Sequence, residues 1–308
     1  MPRFYNFNQY EIDRQTSFGG STGYKYGITI NGVSYMLKTV KPRHYCSDKD
    51  YFPYAEYLSC NILSLIGLNC QKTFIGDFKL PFKNNNRVLA VACENFSPNF
   101  EEFIPFYNIA NSRYHSVNQP NNKRCELEFI KATIDTQKIF SPKELKDFFW
   151  KQFIADAFIG NWDRTTDNWG LLMDRKRKVS ICPIFDCAAS LCYRILDRDL
   201  QNIENRDAFL ESYCYKDCKS AVKYQGKEID YFEFISQNVD ADCTKALFEL
   251  MDSIDLNKIL DFIENAPIKD ELYKAFCKDF IVARKKLILD KAYSVLSSPM
   301  FGVWGCNL

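Results

Sequence analysis

Histidine is nearly missing from this sequence, with only His44 and His115 in 308 residues. A Ser-His-Asp or Cys-His hydrolase would have to use one of them, and neither sits in a nucleophile motif, so hydrolase chemistry is not expected. An excess of charge is missing too: 40 Lys and Arg balance 39 Asp and Glu, so no global field marks nucleic acid or a membrane surface as partner. No apolar run reaches membrane-spanning length, and the first residues, MPRFYNFNQYEIDRQ, lack the basic and apolar regions of a secretory signal. The cytoplasm is therefore the expected compartment. Cysteine is plentiful at thirteen, but the count is odd, no CxxC pair occurs and no histidine stands nearby to complete a zinc site. Reduced thiols are the expectation. Internal repeats and long low-complexity tracts are also absent.

What is present suits a sizeable core. Apolar residues make up 46% of the chain, and the aromatics are dispersed through apolar stretches as core residues are, rather than as stacking platforms for nucleic acid. Residues 24–39 alternate apolar and polar side chains around Asn31-Gly32, a strong signal for a β-hairpin. Just before it, Ser17-Phe18-Gly19-Gly20-Ser21-Thr22-Gly23 is a glycine-rich turn able to bring backbone N–H groups to an anion. After Pro53, Leu58, Ile62, Leu65 and Ile66 recur at helical spacing, and Gly67 is placed to end that helix. KTFIGDF and RVLAVAC read as two further strands. Residues 1–93 thus form a small sheet with one helix, and 94–308 a second, mainly helical part.

Within that second part, Ser97-Pro98 reads as a loop and Asn108 to Asn122 as an exposed, mobile stretch. Residues 143–160 carry Leu145, Phe148, Phe149, Phe153, Ala157 and Phe158 on one broad face, predicting a buried helix. A short hairpin around Asp174-Arg175-Lys176 follows, ending at Asp186. Apolar spacing around Phe234, Leu247, Leu250, Ile259, Phe262, Leu272 and Phe276 predicts a helical bundle over 231–298.

The buried helix delivers the loop Asn161-Trp162-Asp163-Arg164-Thr165-Thr166-Asp167-Asn168, with Asp163 and Asn168 in DxxxxN spacing. A phosphotransferase needs this chemistry: a carboxylate to take a hydroxyl proton and a neutral amide oxygen to bind Mg²⁺ without adding charge beside a triphosphate. Asp186, after the hairpin, suits a second, anionic ligand. Lys38, in the second hairpin strand, is placed to reach the α- and β-phosphates of ATP, and Glu56 at the start of the next helix to hold it. Each feature has a plainer reading: a polar turn capping a helix for Asp163 and Asn168, solvated charges for Lys38 and Glu56.

Taken together, Phe158-Ile159-Gly160-Asn161-Trp162-Asp163 through Asn168, and Ile181-Cys182-Pro183-Ile184-Phe185-Asp186, resemble the HipA-like serine/threonine kinases. In that family a helix ends in IGNxDxHxKN and a strand carries LAPxYD. The resemblance implies an α+β bilobed protein-kinase-like fold, with a β-rich N-terminal lobe and a larger helical C-terminal lobe. It implies Asp163 as catalytic base, Asn168 and Asp186 on Mg²⁺, and Lys38 on the ATP phosphates. Backbone from Cys93 to Phe96, including Glu94, is expected to meet the adenine. Ser17, Gly19, Gly20, Ser21, Thr22 and Gly23 are expected around the phosphates. Family members autophosphorylate a serine at the start of this loop, which here is Ser17, or Ser21 as a second candidate.

Departures from the pattern are also expectations. Thr165 and Asp167 replace the family's His and Lys, so what those basic residues do is absent or supplied otherwise; Arg164 is one candidate and reads equally as a solvated loop arginine. Residues 1–16 are too few for the N-terminal subdomain of the HipA toxins, so an antitoxin partner is not expected. Delivery outside the bacterium is implied only by resemblance to one bacterial member of this family, and nothing in the composition shows it. Asp186 is followed by Cys187-Ala188, so control through an Asp-Phe-Gly flip is not expected. The base and metal ligands do not define the acceptor, which leaves a protein kinase, a small-molecule or lipid kinase on the same fold, or a pseudokinase-like binding module.

Overall fold

A computed structural model describes residues 3–13, 23–40, 50–81, 86–96, 100–113 and 124–298. The N-terminal lobe is a six-stranded sheet in the order β1-β5-β6-β4-β3-β2. Its strands are β1 (Tyr5–Asn6), β2 (Ile12–Asp13), β3 (Tyr24–Ile30), β4 (Val33–Thr39), β5 (Thr73–Lys79) and β6 (Arg87–Glu94), with α1 (Phe52–Leu65) packed on one face. The β3-β4 turn has Asn31 at φ 50° and Gly32 at φ 79°, the two positive angles a two-residue hairpin turn needs to match strand twist. Strand alternation then sorts the side chains. Tyr35 and Leu37 join Phe7, Ile28, Phe78, Ala90 and Ala92 in a small outer core. Met36 faces the other way, towards α1 and the main core with Ile75, Val91 and Cys93. Lys38, two residues on from Met36, shares that inner face.

Pro53 lies in the first turn of α1, where its missing N–H costs nothing, and Gly67 at φ 84° follows the helix end. Leu65, expected on the buried face, is exposed. The rest of the described chain is β7 (Phe100–Pro105), α2 (Phe106–Arg113), α3 (Leu127–Thr136), α4 (Pro142–Ile159), β8 (Gly170–Asp174) and β9 (Val179–Ile181), then α5 (Asp197–Gln201) and α6 (Arg206–Ser212). The hairpin β10 (Lys223–Tyr224) and β11 (Lys227–Glu228) precedes α7 (Tyr231–Ser236), α8 (Ala241–Met251), α9 (Leu256–Asn265), α10 (Glu271–Arg284) and α11 (Lys291–Leu296). Aspartates cap four of the last five helices: Asp230, Asp240, Asp255 and Asp270 each accept backbone N–H bonds at the start of α7, α8, α9 and α10. Among the described residues, no helix is long and apolar enough to cross a membrane.

The structure departs from the sequence reading at three further places. The stretch from Asn108 begins inside α2, with Ile109 and Ala110 buried, because Phe106 stacks on Trp169 at 4.0 Å and draws the segment into the core. Strand β7 was also not foreseen; it pairs antiparallel with β8, which in turn pairs with β9. Leu272, expected in the bundle core, is exposed on α10.

α4 places the most informative loop. Ser141 caps its start by accepting the Glu144 N–H, and Gly160 ends it in the left-handed region at φ 66°. A Cβ on Gly160 would lie 2.6 Å from Phe280 Cζ. Gly160→Ala is expected to lower unfolding stability by about 1–3 kcal/mol from the backbone alone, read as a lower urea midpoint.

Candidate functional site

Lys38 is buried and makes two short ion pairs. Its Nζ lies 2.8 Å from Glu56 Oε2 on α1 and 2.8 Å from Asp186 Oδ1 of the C-terminal lobe. Burial opposes the charge on Lys38, but Asp186 and then Glu56 outweigh it and raise its pKa well above the ordinary lysine value. Lys38 in turn lowers the pKa of Asp186 against the effect of burial. The other carboxylate oxygen of Glu56 accepts the Cys187 N–H at 3.0 Å, so one buried glutamate holds the strand lysine and the backbone next to Asp186.

A cavity of about 400 Å³ between the lobes is lined by Lys38, Asp163, Asn168 and Asp186, together with Lys25, Phe52, Thr165, Asp167 and Tyr193. Four residues singled out in three separate segments of the sequence therefore line one cavity. Lys25 on β3 pairs directly across from Lys38 on β4, which puts both side chains on the same face. Sequence spacing alone did not single out Lys25; its register against Asn31-Gly32 is the signal that locates it. Asp163 has a raised pKa, first from partial enclosure and then from the neighbouring Asp186 charge. Asn168 donates from Nδ2 to the Asp163 carbonyl at 2.8 Å, which leaves its amide oxygen as the acceptor end.

Of the two readings of Arg164, the solvated one is overturned. The residue is a buried cation, paired through Nε with Asp156 Oδ2 at 3.0 Å and through Nη2 with Oδ1 at 3.1 Å. Its remaining donors go to the Asn168 carbonyl at 3.2 Å, the Phe185 carbonyl and the Cys187 sulfur at 3.3 Å. One guanidinium thus ties the Asp163–Asn168 loop to the Asp186 segment, a use of its planar fork that lysine lacks. Asn161 adds to the network, donating to Asp156 Oδ1 at 2.9 Å and accepting the Asp163 N–H at 3.2 Å. Asp156, a carboxylate inside the apolar run Phe153-Ile154-Ala155-Asp156-Ala157-Phe158, was the available clue.

The expected adenine segment is less open than foreseen. The Glu94 N–H donates to Lys72 O at 2.8 Å, its carbonyl accepts Gln71 Nε2 at 2.8 Å, and the Asn95 N–H donates to Ser34 O at 2.8 Å. Phe96 packs against Phe103 and Phe185. Neither Glu94 nor Phe96 is among the described residues lining the cavity. Gly23 is the one expected loop residue within the described chain; at φ 70° its absent Cβ avoids Thr39 O, which would lie 2.3 Å away. Ser17, Gly19, Gly20, Ser21 and Thr22 lie outside the described residues.

A β-rich lobe whose strand lysine is ion-paired with a helix glutamate, set over a helical lobe bearing a DxxxxN loop, has the architecture of the protein kinases. No family model matches the chain. The serine/threonine-protein kinase CtkA of Helicobacter pylori is 31% identical over 293 residues, 94% of this chain and 87% of that protein. The crystal structure of the Helicobacter pylori proinflammatory kinase CtkA matches with a TM-score of 0.84 at 32% identity, over 92% of this chain and 95% of that one. A chain in the complex of HipA, HipB and operator DNA from Shewanella oneidensis MR-1 gives a TM-score of 0.48 at 12% identity, over 90% of this chain and 68% of that one. This chain belongs to the family of serine/threonine-protein kinases that includes CtkA.

Proposed function

We propose that this chain transfers the γ-phosphoryl group of ATP to serine or threonine hydroxyls of a protein substrate, with Mg²⁺ as the metal. The carrying observation is Lys38, held by Glu56 and set against Asp186 on the same cavity as Asp163 and Asn168. Lys38 steadies the α- and β-phosphates; Lys25, directly across the hairpin, adds a second cation on that face. Asp163 orients the acceptor hydroxyl and takes its proton as the new P–O bond forms in line with departure of ADP.

The donor set fits Mg²⁺: a carboxylate at Asp186 and an amide oxygen at Asn168 are the few hard oxygen ligands this ion takes beside phosphates and water. When bound there, Mg²⁺ would neutralise charge on the β- and γ-phosphoryl oxygens. Arg164 keeps those two ligands in mutual register through the Asn168 and Phe185 carbonyls. Ser17 or Ser21 is the proposed site of self-modification, and a phosphate there would bring about two negative charges near the ATP phosphates and lower activity.

The raised pKa of Asp163 gives a pH dependence with a definite sign. A base works deprotonated, so kcat/KM is expected to be full above that pKa and to fall as pH drops through it. The acid limb should lie above the ordinary aspartate value of about 3.9 and be followed in buffers of constant ionic strength. A limb at or below the ordinary value would contradict the assignment. The reading as a whole is tested by ATP turnover on the purified chain with Mg²⁺ and with chelator, Lys38→Met alongside. Turnover that needs both Mg²⁺ and Lys38 supports it; equal turnover in Lys38→Met rejects it.

A further inference from the structure

Helix α1 carries Glu56, and its start is fastened to the C-terminal lobe. The Tyr51 hydroxyl donates to Asp270 Oδ2 at 3.2 Å, while Asp270 Oδ1 caps α10 by accepting the Tyr273 N–H at 3.1 Å. The Tyr51 ring lies on the Tyr273 ring, with centroids 4.0 Å apart and planes 6° from parallel. The Tyr51 N–H donates to Tyr193 O at 3.2 Å, and the Tyr273 hydroxyl to Leu191 O at 3.1 Å. One turn on, the Tyr54 hydroxyl accepts the Lys269 N–H at 3.2 Å. Further along the same helix, Ser59 meets Ser190 at 2.6 Å, Oγ to Oγ. Tyr51 is 2% and Tyr273 0% exposed, so the stacked rings are dry, while Asp270 at the end of the fastening is half-buried.

We infer that Tyr51, seated on Asp270 and Tyr273, is a positioning residue for phosphoryl transfer: it fixes α1 so that Glu56 shares Lys38 with Asp186. The inference rests on the roles proposed above for Lys38, Glu56 and Asp186. A helix moves as a rod, and Glu56 stands only about 7–8 Å along the axis from Tyr51 at 1.5 Å per residue. Displacing the Tyr51 end therefore displaces Glu56. With Glu56 withdrawn, the Lys38 ammonium is left to Asp186 alone, where it competes with a divalent cation for the carboxylate. The paired arrangement of lysine and glutamate is thus held in part by this chain's own α10.

The test uses the full chain as Tyr51→Ala, Tyr51→Phe, Glu56→Gln and the Tyr51→Ala/Glu56→Gln double variant. The readouts are kcat, the Mg²⁺ concentration for half-maximal ATP turnover, and thermal unfolding. Tyr51→Ala is expected to lower kcat about ten- to a hundredfold, the scale of a small displacement at a distance, and to raise the Mg²⁺ requirement. Tyr51→Phe keeps the stacked ring and should recover most of kcat. The double variant should be no worse than Glu56→Gln, because Tyr51 acts through Glu56. A folded Tyr51→Ala with kcat within about twofold of the parent overturns the inference, as does a double variant whose losses multiply in full. Wild-type turnover in Glu56→Gln rejects the ion-pair reading itself and the inference with it. Where Tyr51→Ala does not fold, Tyr51→Leu carries the test, since it keeps apolar volume but loses both the stacked ring and the hydroxyl: a raised Mg²⁺ requirement supports the positioning role, and an unchanged one overturns it.

Discussion

Asp186→Asn is expected to cut phosphoryl transfer from ATP at least about a hundredfold, the size of effect that losing one preorganised group at a reacting centre has. The substitution removes the anionic oxygen proposed for Mg²⁺ and half of the Lys38 ion-pair set. Asparagine is the informative replacement, because Asp186 sits at φ 55° and asparagine tolerates that region better than alanine does. The fold should survive, since Glu56 still holds Lys38 and the Asp186 side chain is 40% exposed. Asp163→Ala should likewise remove most turnover, by about 10²–10⁴-fold if its role is general base. Steady-state ATP turnover and far-ultraviolet circular dichroism on the same samples separate lost chemistry from lost structure. Activity within a few-fold of the parent in either variant would mean that the site is misassigned.

Arg164→Met should have the largest effect on stability, about 3–5 kcal/mol, because it strands the buried Asp156 carboxylate without its partner. Burial pushes the Asp156 pKa up, and the Arg164 charge and hydrogen bonds, then the Asn161 hydrogen bond, pull against it; with the arginine gone only the Asn161 bond still opposes the cost of burial. Urea unfolding should show a lower midpoint at an unchanged slope. Asp156→Leu in the same chain should restore much of the stability, since a buried ion pair can be replaced by packing at little net cost. It should not restore activity. Arg164 also donates to the carbonyls of Asn168 and Phe185, and no apolar pair reproduces those bonds. Full recovery of both properties would reduce Arg164 to a packing residue.

Local signals in the sequence were strong where local chemistry decides the structure. Asn31-Gly32 demands a tight hairpin, and that hairpin fixes Lys38 on the inner face opposite Lys25. Ser141 and Gly160 bound α4 and so set where the Asp163 loop begins. What was illegible depends on distant partners. Phe100–Pro105 holds two glutamates and a proline and shows no strand alternation, yet β8 supplies its hydrogen bonds. Asn108 opens no loop because Trp169 stacks on Phe106 from across the fold. The burial of Arg164 needed Asp156, a residue from the preceding helix that reads as a flaw in an apolar run. Backbone commitments at Glu94 and Asn95 are likewise set by Lys72, Gln71 and Ser34, which lie apart from them in the chain. The four residues on the cavity wall were identifiable individually; their convergence was supplied by the resemblance and the fold, not by spacing.

The phosphoryl acceptor is identified most directly by transfer of labelled γ-phosphate from Mg-ATP, with phosphosite mapping by mass spectrometry. Label on serine or threonine of protein, lost in Asp163→Ala and including Ser17 or Ser21 of the chain itself, is the predicted result. Label found only on small alcohols, or protein label that persists in Asp163→Ala, would contradict it.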